Sequence, residues 1–547
     1  MKETVKHYIS IIGISLIATF ILGFIYHNDT LRGHDLSFHI ANIQNMVENH
    51  LNINFIMPVI GNNLGYGLYI FYPFLPHFIY ALLTFFLNIF KISTIDSILI
   101  INVFISIISS IVLYFLSYKL SKNKKIAFLS AIIYLLFPYR LGTITVRMAL
   151  NENFAGIFMP MILLGLSYLL DENINKKKFY IYFVLGYVGL ILSHFILTLF
   201  FTIIIWIILL WNIKKIIDKN RLILLIKAIV FVSILVLPNI IIFFEHYKMP
   251  YLVYLDGYVT SKELIDENIL SFKDFFLPKN NYDWDIPYYI STPVIFSFIY
   301  SSYYVIKHKD KKYIFIVLMV LLLGFVISSH TLWNFLPKVF DMIQFPWRLL
   351  LILSLFVSLI SPIFLQKIKN RKICIGIIFI FLIPSFFLAS KLSSRIYTYD
   401  YTNIDMNDGV GNIKEYYPVE YLDYKEYYEN KKDVDFISSS GNSKVIENDI
   451  SKNIFNFEID SDEKVTIELP RIYYKGYVLE DETHHKIKIK RSNYGFIETK
   501  VSPGIYTLKY IGTPIYIIFK YIRIGLILYL CFKGFKFIYH AWNKNKI

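Results

Sequence analysis

Apolar residues run along this chain in long unbroken stretches, with polar residues gathered in short clusters between them. Tyr8–Ile25, Ile98–Leu116, Phe195–Trp211, Leu349–Leu365 and Ile373–Leu388 are such stretches. Each is close to the ~17–25 residues a membrane helix needs. Tyr180–Trp211 is too long for one helix, so the pattern predicts two, hinged near Ser193-His194. Leu68–Phe90 is apolar too, but it carries Pro73, Pro76 and His77 among Tyr69, Phe71, Tyr72, Phe74, Phe78 and Tyr80. Aromatic rings favour the headgroup level, so this stretch reads as a helix in the outer interface. The alternative is a proline-kinked span. Near the C-terminus the period changes to two, in Val465–Leu469 and Lys486–Lys490, with turn residues at Asn493–Gly495 and Ser502–Gly504. That pattern predicts a small antiparallel β domain.

Composition narrows the class. The 547 residues are 56% hydrophobic and 17% charged, with a mean hydropathy of +0.51. Soluble domains carry about 25% charge, so a soluble enzyme, a disordered chain and a disulfide scaffold are excluded. Cys374 and Cys531 form no disulfide framework or zinc site. The net charge of +15 divides unevenly: Asp400–Pro470 holds 17 Asp/Glu and 7 Lys/Arg, or −10, which leaves +25 elsewhere. That excess sits in seven clusters: Lys2/Lys6, Lys119–Lys125, Lys176–Lys178, Lys214–Arg221, Lys307–Lys312, Lys367–Lys372 and Lys533–Lys546. Spread in this way, the charge marks cytoplasmic loops and not a nucleic-acid surface.

If all seven clusters are cytoplasmic, an even number of spans separates each pair of neighbours. The expectation is an α-helical polytopic membrane protein of about twelve spans, with both termini cytoplasmic and an uncleaved first helix. Residues 1–390 would form the bundle, 391–512 an extracytoplasmic mixed/β domain, and 513–547 the last helix and a basic tail. No internal repeat, P-loop, H-E-x-x-H or G-x-S-x-G string occurs.

Polar residues near the outer surface are few and therefore informative. The first outer loop contains His34, Asp35 and His39; on a helix Asp35 and His39 share a face, so the carboxylate could orient the imidazole or both could hold a cation. Asp35 as a plain helix cap is the alternative. The second outer loop contains Arg140, Arg147 and Glu152. Two arginines suit a lipid phosphate, gripped bidentately; a structural Arg–Glu pair is the competing reading. His194 sits at the predicted hinge, and Arg348 follows Phe345-Pro346-Trp347 at a helix start. Tyr473-Tyr474-Lys475-Gly476-Tyr477 reads as strand and turn, or as a carbohydrate platform.

Gly33-His34-Asp35-Leu36-Ser37-Phe38-His39, Gly65-Tyr66-Gly67 and Phe71-Tyr72-Pro73 resemble the bacterial membrane family labelled "6-pyruvoyl-tetrahydropterin synthase-related". Phe137-Pro138-Tyr139-Arg140, Arg147, Glu152, Ser193-His194 and Phe345–Arg348 follow the same pattern in order. Tyr474-Lys475-Gly476-Tyr477 before a last helix resembles YfhO-type proteins. The layout of this family is similar to the GT-C glycosyltransferases. The resemblance implies a bacterial plasma-membrane enzyme that moves a sugar from a polyprenyl-phosphate donor to an envelope glycopolymer or glycolipid. It implies Asp35, His39 and Glu152 as catalytic residues, and His34, Arg140, Arg147, His194 and Arg348 around the substrate. Partners would be the lipid bilayer, the lipid-linked sugar and its acceptor. The cofactor is unknown, with a divalent metal left open. A lipid-linked polysaccharide flippase and a non-catalytic envelope scaffold are the rival readings.

Overall fold

The computed structural model describes residues 2–26, 33–276, 288–368 and 405–544, except 53–54, 58–59, 256, 259, 412–413, 439–440 and 450–453, together with scattered positions of 370–388. The run Ile373–Leu388 and the stretch 389–404 thus lie largely or wholly outside the described residues, as do Arg32 and the side chains of Lys533–Lys546. The chain forms two compact units.

The first unit (residues 1–47, 73–225 and 256–405) is helical. Its leading elements are α1 (Lys2–Tyr26) and α2 (Leu36–Glu48). After α3 (Leu68–Phe71), which belongs to the second unit, come α4 (Leu75–Asn88), α5 (Thr94–Ser121), α6 (Lys124–Leu135) and α7 (Pro138–Thr145). They are followed by α8 (Leu150–Leu169), α9 (Lys176–Ile191) and α10 (Phe195–Trp211). The sides of these helices are inverted relative to a water-soluble bundle. In α5, Ser106, Ser109, Ser110 and Ser117 are buried while Phe104 and Ile108 are exposed. In α1, Tyr8, Ile9, Ile12, Leu16 and Phe20 are exposed. Apolar surface outside and small polar residues between helices is what a hydrocarbon solvent selects.

Glycine sets the closest packing. A Cβ on Gly165 of α8 would stand 2.5 Å from the backbone nitrogen of Phe183 in α9, and one on Gly186 of α9 would stand 3.0 Å from the backbone nitrogen of Ile162 in α8. Only a residue without a side chain lets the two backbones approach in this way.

Among the described residues, six helices are long and apolar enough to cross a membrane, or seven if the bent pair α6 and α7 counts as one span. This is a multi-span membrane protein, but among the described residues the spans number fewer than the expected twelve. Two helices, α9 and Thr292–Lys307, fall short of a spanning length at 16 residues each, and the expected span Ile373–Leu388 lies largely outside the described residues. The stretch Tyr180–Trp211 does divide, with a break at Leu192–His194. Leu68–Phe90 is not one straight helix. It breaks at Tyr72–Phe74, and α4 has 14 residues, about 21 Å at 1.5 Å each, too short to span.

Basic residues gather at one end of this unit. Lys119 pairs with Asp171. Arg221 donates to the carbonyls of Leu169 and Asp171, Lys215 to that of Leu170, and Lys312 to that of Leu120. Lysine and arginine here satisfy the last, unpaired carbonyls of helices and favour the negative end of the helix dipole. Three separate basic clusters are thereby drawn onto the ends of α5 and α8.

The second unit (48–72, 226–255 and 406–547) holds the C-terminal β domain. Its strands are β1 (Asp435–Phe436), β2 (Asn442–Asp449), β3 (Ile454–Asp460), β4 (Val465–Ile472), β5 (Tyr477–Asp481), β6 (Lys486–Ile487), β7 (Ile489–Arg491), β8 (Phe496–Val501) and β9 (Gly504–Tyr510). They form two antiparallel sheets, ordered β1-β4-β8-β7 and β2-β3-β9-β5-β6. Alternation follows the period-two pattern: Phe455, Phe457 and Ile459 are buried on β3, and Val465, Ile467 and Leu469 on β4. Tyr474 and Tyr477 are buried as well, which removes them as an exposed carbohydrate platform.

Candidate functional site

Helix ends build the site, all within the first unit. The segment before α2 and the segment between α7 and α8 pair through their backbones. His34 N–H donates to Val146 O at 3.2 Å, and Asp35 N–H to Arg147 O at 3.0 Å. Gly33 permits this, since a Cβ there would lie 2.4 Å from the Met148 side chain. Met148 itself turns the chain with φ +53°. Asn151, in the first turn of α8, donates to the carbonyls of Pro73 and Ser193, at 3.2 and 2.9 Å. One amide thus ties together the breaks before α4 and α10, where backbone groups have lost their helical partners.

Four charges converge at this point. Arg147 Nη1 donates to Glu152 Oε1 at 2.7 Å, and Arg147 Nη2 lies 3.8 Å from Asp35 Oδ2. Tyr139 donates its hydroxyl to Glu152 Oε2 at 2.9 Å. Arg348 Nε stands 3.6 Å from Glu152 Oε1, too far for a hydrogen bond, and has no hydrogen-bond partner. Arg348 is held from its other side: its Nη1 donates to Ile343 O and to Gln344 Oε1 at 2.9 and 2.8 Å. Gln344 adopts φ +58° to reach it, a region costly for a residue with a side chain. An aromatic wall backs the charges. The Arg147 guanidinium lies 4.8 Å from the Trp347 ring centroid, and Trp347 packs on Tyr288 at 4.7 Å and on Tyr139 at 6.1 Å.

The two carboxylates differ in their surroundings. Glu152 is buried with both oxygens engaged. The Asp35 side chain is 44% exposed. Burial raises its pKa above the ordinary carboxylate value; Arg147 pulls it down, Glu152 pushes it up and Arg348 pulls it down. With that much of the side chain open, the rise at Asp35 is smaller than in a sealed site. For Arg147, burial works against the charge, but Glu152, Tyr139 and Asp35 outweigh it and raise the pKa. Arg147 stays cationic throughout.

The expected residues therefore separate. Asp35, Arg147, Glu152 and Arg348 come together, and His194 lies within the field of Glu152 and both arginines while it caps α10 by accepting from Leu197 N–H at 3.3 Å. His34 is exposed next to Asp35. His39 does not pair with Asp35 through its ring. Its Nδ1 faces Nε2 of His77 at 2.6 Å, so one imidazole donates to the other. Burial, then His77 and Arg147, hold His39 neutral. The helical spacing put Asp35 and His39 on one face correctly, but α4 supplied a closer partner. Arg140 is also placed elsewhere. It is buried over the Tyr134 ring at 3.7 Å and donates to Tyr134 O and Ser109 Oγ at 3.2 and 2.8 Å, so it braces α5, α6 and α7. Tyr139 and Trp347 join the site although the sequence assigned them no role there. Their signal was adjacency, since Tyr139 and Trp347 each directly precede an arginine. Among the described residues, no group of three or more His, Cys, Asp or Glu is placed to hold a metal ion.

No family model matches the chain. No curated protein matches it. Among solved structures it is similar to the oligosaccharyltransferase of Archaeoglobus fulgidus, solved with a tethered acceptor peptide that contains the NVT sequon, at a TM-score of 0.43 and 13% identity. The similarity covers 77% of this chain and 59% of that protein, so the chain spans less than two thirds of its length.

Proposed function

We propose that this chain is a GT-C-like membrane glycosyltransferase, transferring a sugar from a polyprenyl-phosphate donor to a hydroxyl of an envelope glycopolymer or glycolipid at the outer membrane face. One observation carries the reading: an open carboxylate, Asp35, lies beside Arg147, while a sealed carboxylate, Glu152, stands between Arg147 and Arg348. Asp35 takes the proton of the acceptor hydroxyl. The freed oxygen attacks the anomeric carbon, a new C–O bond forms, and the bond to the phosphate oxygen breaks. The negative charge moves to the polyprenyl phosphate, where Arg348, with its unused Nε, and Arg147 stabilise it. Glu152 and Tyr139 are positioning residues that hold Arg147 in place, and the Tyr288–Trp347 wall gives the sugar an apolar side.

Turnover of a polyprenyl-phosphate sugar by membranes containing the protein tests this. Asp35→Asn keeps the size of the side chain and removes its basicity, so the rate is expected to fall at least about 10²-fold with insertion intact. Arg348→Lys keeps the charge and loses the planar fork, with a milder loss expected. Unchanged turnover in Asp35→Asn would remove the catalytic assignment. Lipid translocation without sugar transfer in the parent would favour the flippase.

A further inference from the structure

The β domain holds an open cavity of about 820 Å³ that the transfer reading does not use. It lies where the chain leaves one sheet and joins the other, between β6 and β7. Lys486, Lys488 and Lys490 alternate with Ile487 and Ile489 through this crossing. Period-two spacing in extended chain sets their Cα atoms about 6.7 Å apart on one face. Lys464 and Lys500 line the same cavity.

Three carboxylates share the lining, but two are already engaged. Glu498 pairs with Lys490 at 2.7 Å. Asp481 accepts from the backbone N–H groups of Thr483 and His485, both at 2.9 Å. Lys464, Lys486, Lys488 and Lys500 are exposed and have no ion pair among the described residues. The strand register sharpens this. Ile489 opposes Thr499 in the last pair of the β7–β8 ladder, and Thr499 Oγ1 donates to Lys488 O at 3.0 Å, so Lys488 and Lys500 flank the end of this ladder. Like charges brought close repel one another, and an anion between them offsets that repulsion.

We propose that this groove binds a linear polyanion, a glycan or polyol chain carrying a phosphate or carboxylate on each repeat. A row of ammonium groups at regular spacing suits a chain of regularly spaced anions better than a single phosphate. It does not suit a membrane surface, because such a face sets exposed apolar side chains beside the basic ones, and none of the large exposed apolar residues lines this cavity. The site is separate from the transfer chemistry and would give the protein a hold on an anionic envelope polymer.

The test measures equilibrium binding of fluorescent polyglycerol phosphate and polygalacturonate to the full-length protein in neutral-lipid nanodiscs, with neutral dextran as control. Both polyanions should bind saturably, more weakly as salt rises, and dextran should not bind. The triple variant Lys464→Gln/Lys488→Gln/Lys500→Gln changes only exposed side chains. It should raise Kd at least tenfold while keeping the parent's circular dichroism and elution volume. Equal Kd for parent and triple variant would overturn the proposal, as would equal binding of dextran. So would preferential flotation of the parent, but not of the triple variant, with phosphatidylglycerol vesicles, which would make the groove a lipid contact. The binding is read without turnover, so failure of the transferase reading leaves its outcome intact.

Discussion

Asp35 and Glu152 both lie within ion-pair distance of Arg147, yet their surroundings differ. A carboxylate that already accepts from Arg147 and Tyr139 is a poor proton acceptor for a third partner. One that is 44% exposed, with its pKa raised by burial, can take a proton from a bound hydroxyl. The sign of the pH dependence follows. A general base works only when deprotonated, so transfer should fall on the acid side, with a midpoint above the ordinary carboxylate value of about 3.9. Rate against pH in the parent checks this. A rate that stays flat down to about pH 4 would contradict Asp35 as the base. Four of the charged side chains of this site, Asp35, Arg147, Glu152 and Arg348, were legible in the sequence because a membrane chain keeps few charges away from its basic loops. The His39–His77 pair was not legible, because it joins α2 to a helix 38 residues later. Arg140 looked equivalent to Arg147 in the sequence, and only the Tyr134 ring and Ser109 hydroxyl beneath it show that it is a brace.

Helices α8 and α9 approach so closely that glycine is required at their crossing. Gly165→Leu would drive a side chain into the backbone at Phe183, where nothing flexible can yield. The expected cost is about 1–3 kcal/mol, as for an overpacked core, read as a lower thermal midpoint in detergent. Gly324, in the helix Lys311–Ser328, supplies the contrast, since nothing lies within 4 Å of its Cβ position. Gly324→Ala should raise the midpoint slightly, by the ~0.5–1 kcal/mol that alanine gains over glycine in a helix. A midpoint left unchanged by Gly165→Leu would mean the two backbones are further apart than described. At this scale the hinge near Ser193-His194 could be read from length alone, and the break in Leu68–Phe90 from its prolines. What holds the two breaks together could not, because the link is the Asn151 amide, distant from both in sequence.

Across the whole molecule, α8 is the ruler. Glu152 lies in its first turn, and the basic contacts at Leu169–Asp171 lie at its other end. Twenty residues at 1.5 Å give about 30 Å, the thickness of a bilayer's hydrocarbon core. The charged site and the basic cluster therefore belong on opposite sides of a membrane. By the positive-inside rule the lysine end is expected to be cytoplasmic. With both native cysteines replaced, Lys177→Cys in intact cells should resist a membrane-impermeant maleimide, and Glu463→Cys in the β domain should react. Equal labelling of both would reverse or dissolve this topology and the outer-face assignment with it. Hydropathy and the change to period-two alternation were enough to determine a multi-span membrane protein with a β domain near its C-terminus; the spacing of basic clusters led to about twelve spans, more than the six or seven among the described residues. Hydropathy and alternation are properties of consecutive residues. Tertiary structure alone decided which carboxylate stays open, which arginine keeps a free donor, and which lysines line a groove. Those outcomes depend on neighbours distant in sequence: Arg147 and Arg348 come from separate loops, and Lys464 and Lys500 join the alternating lysines of 486–490 only through the fold.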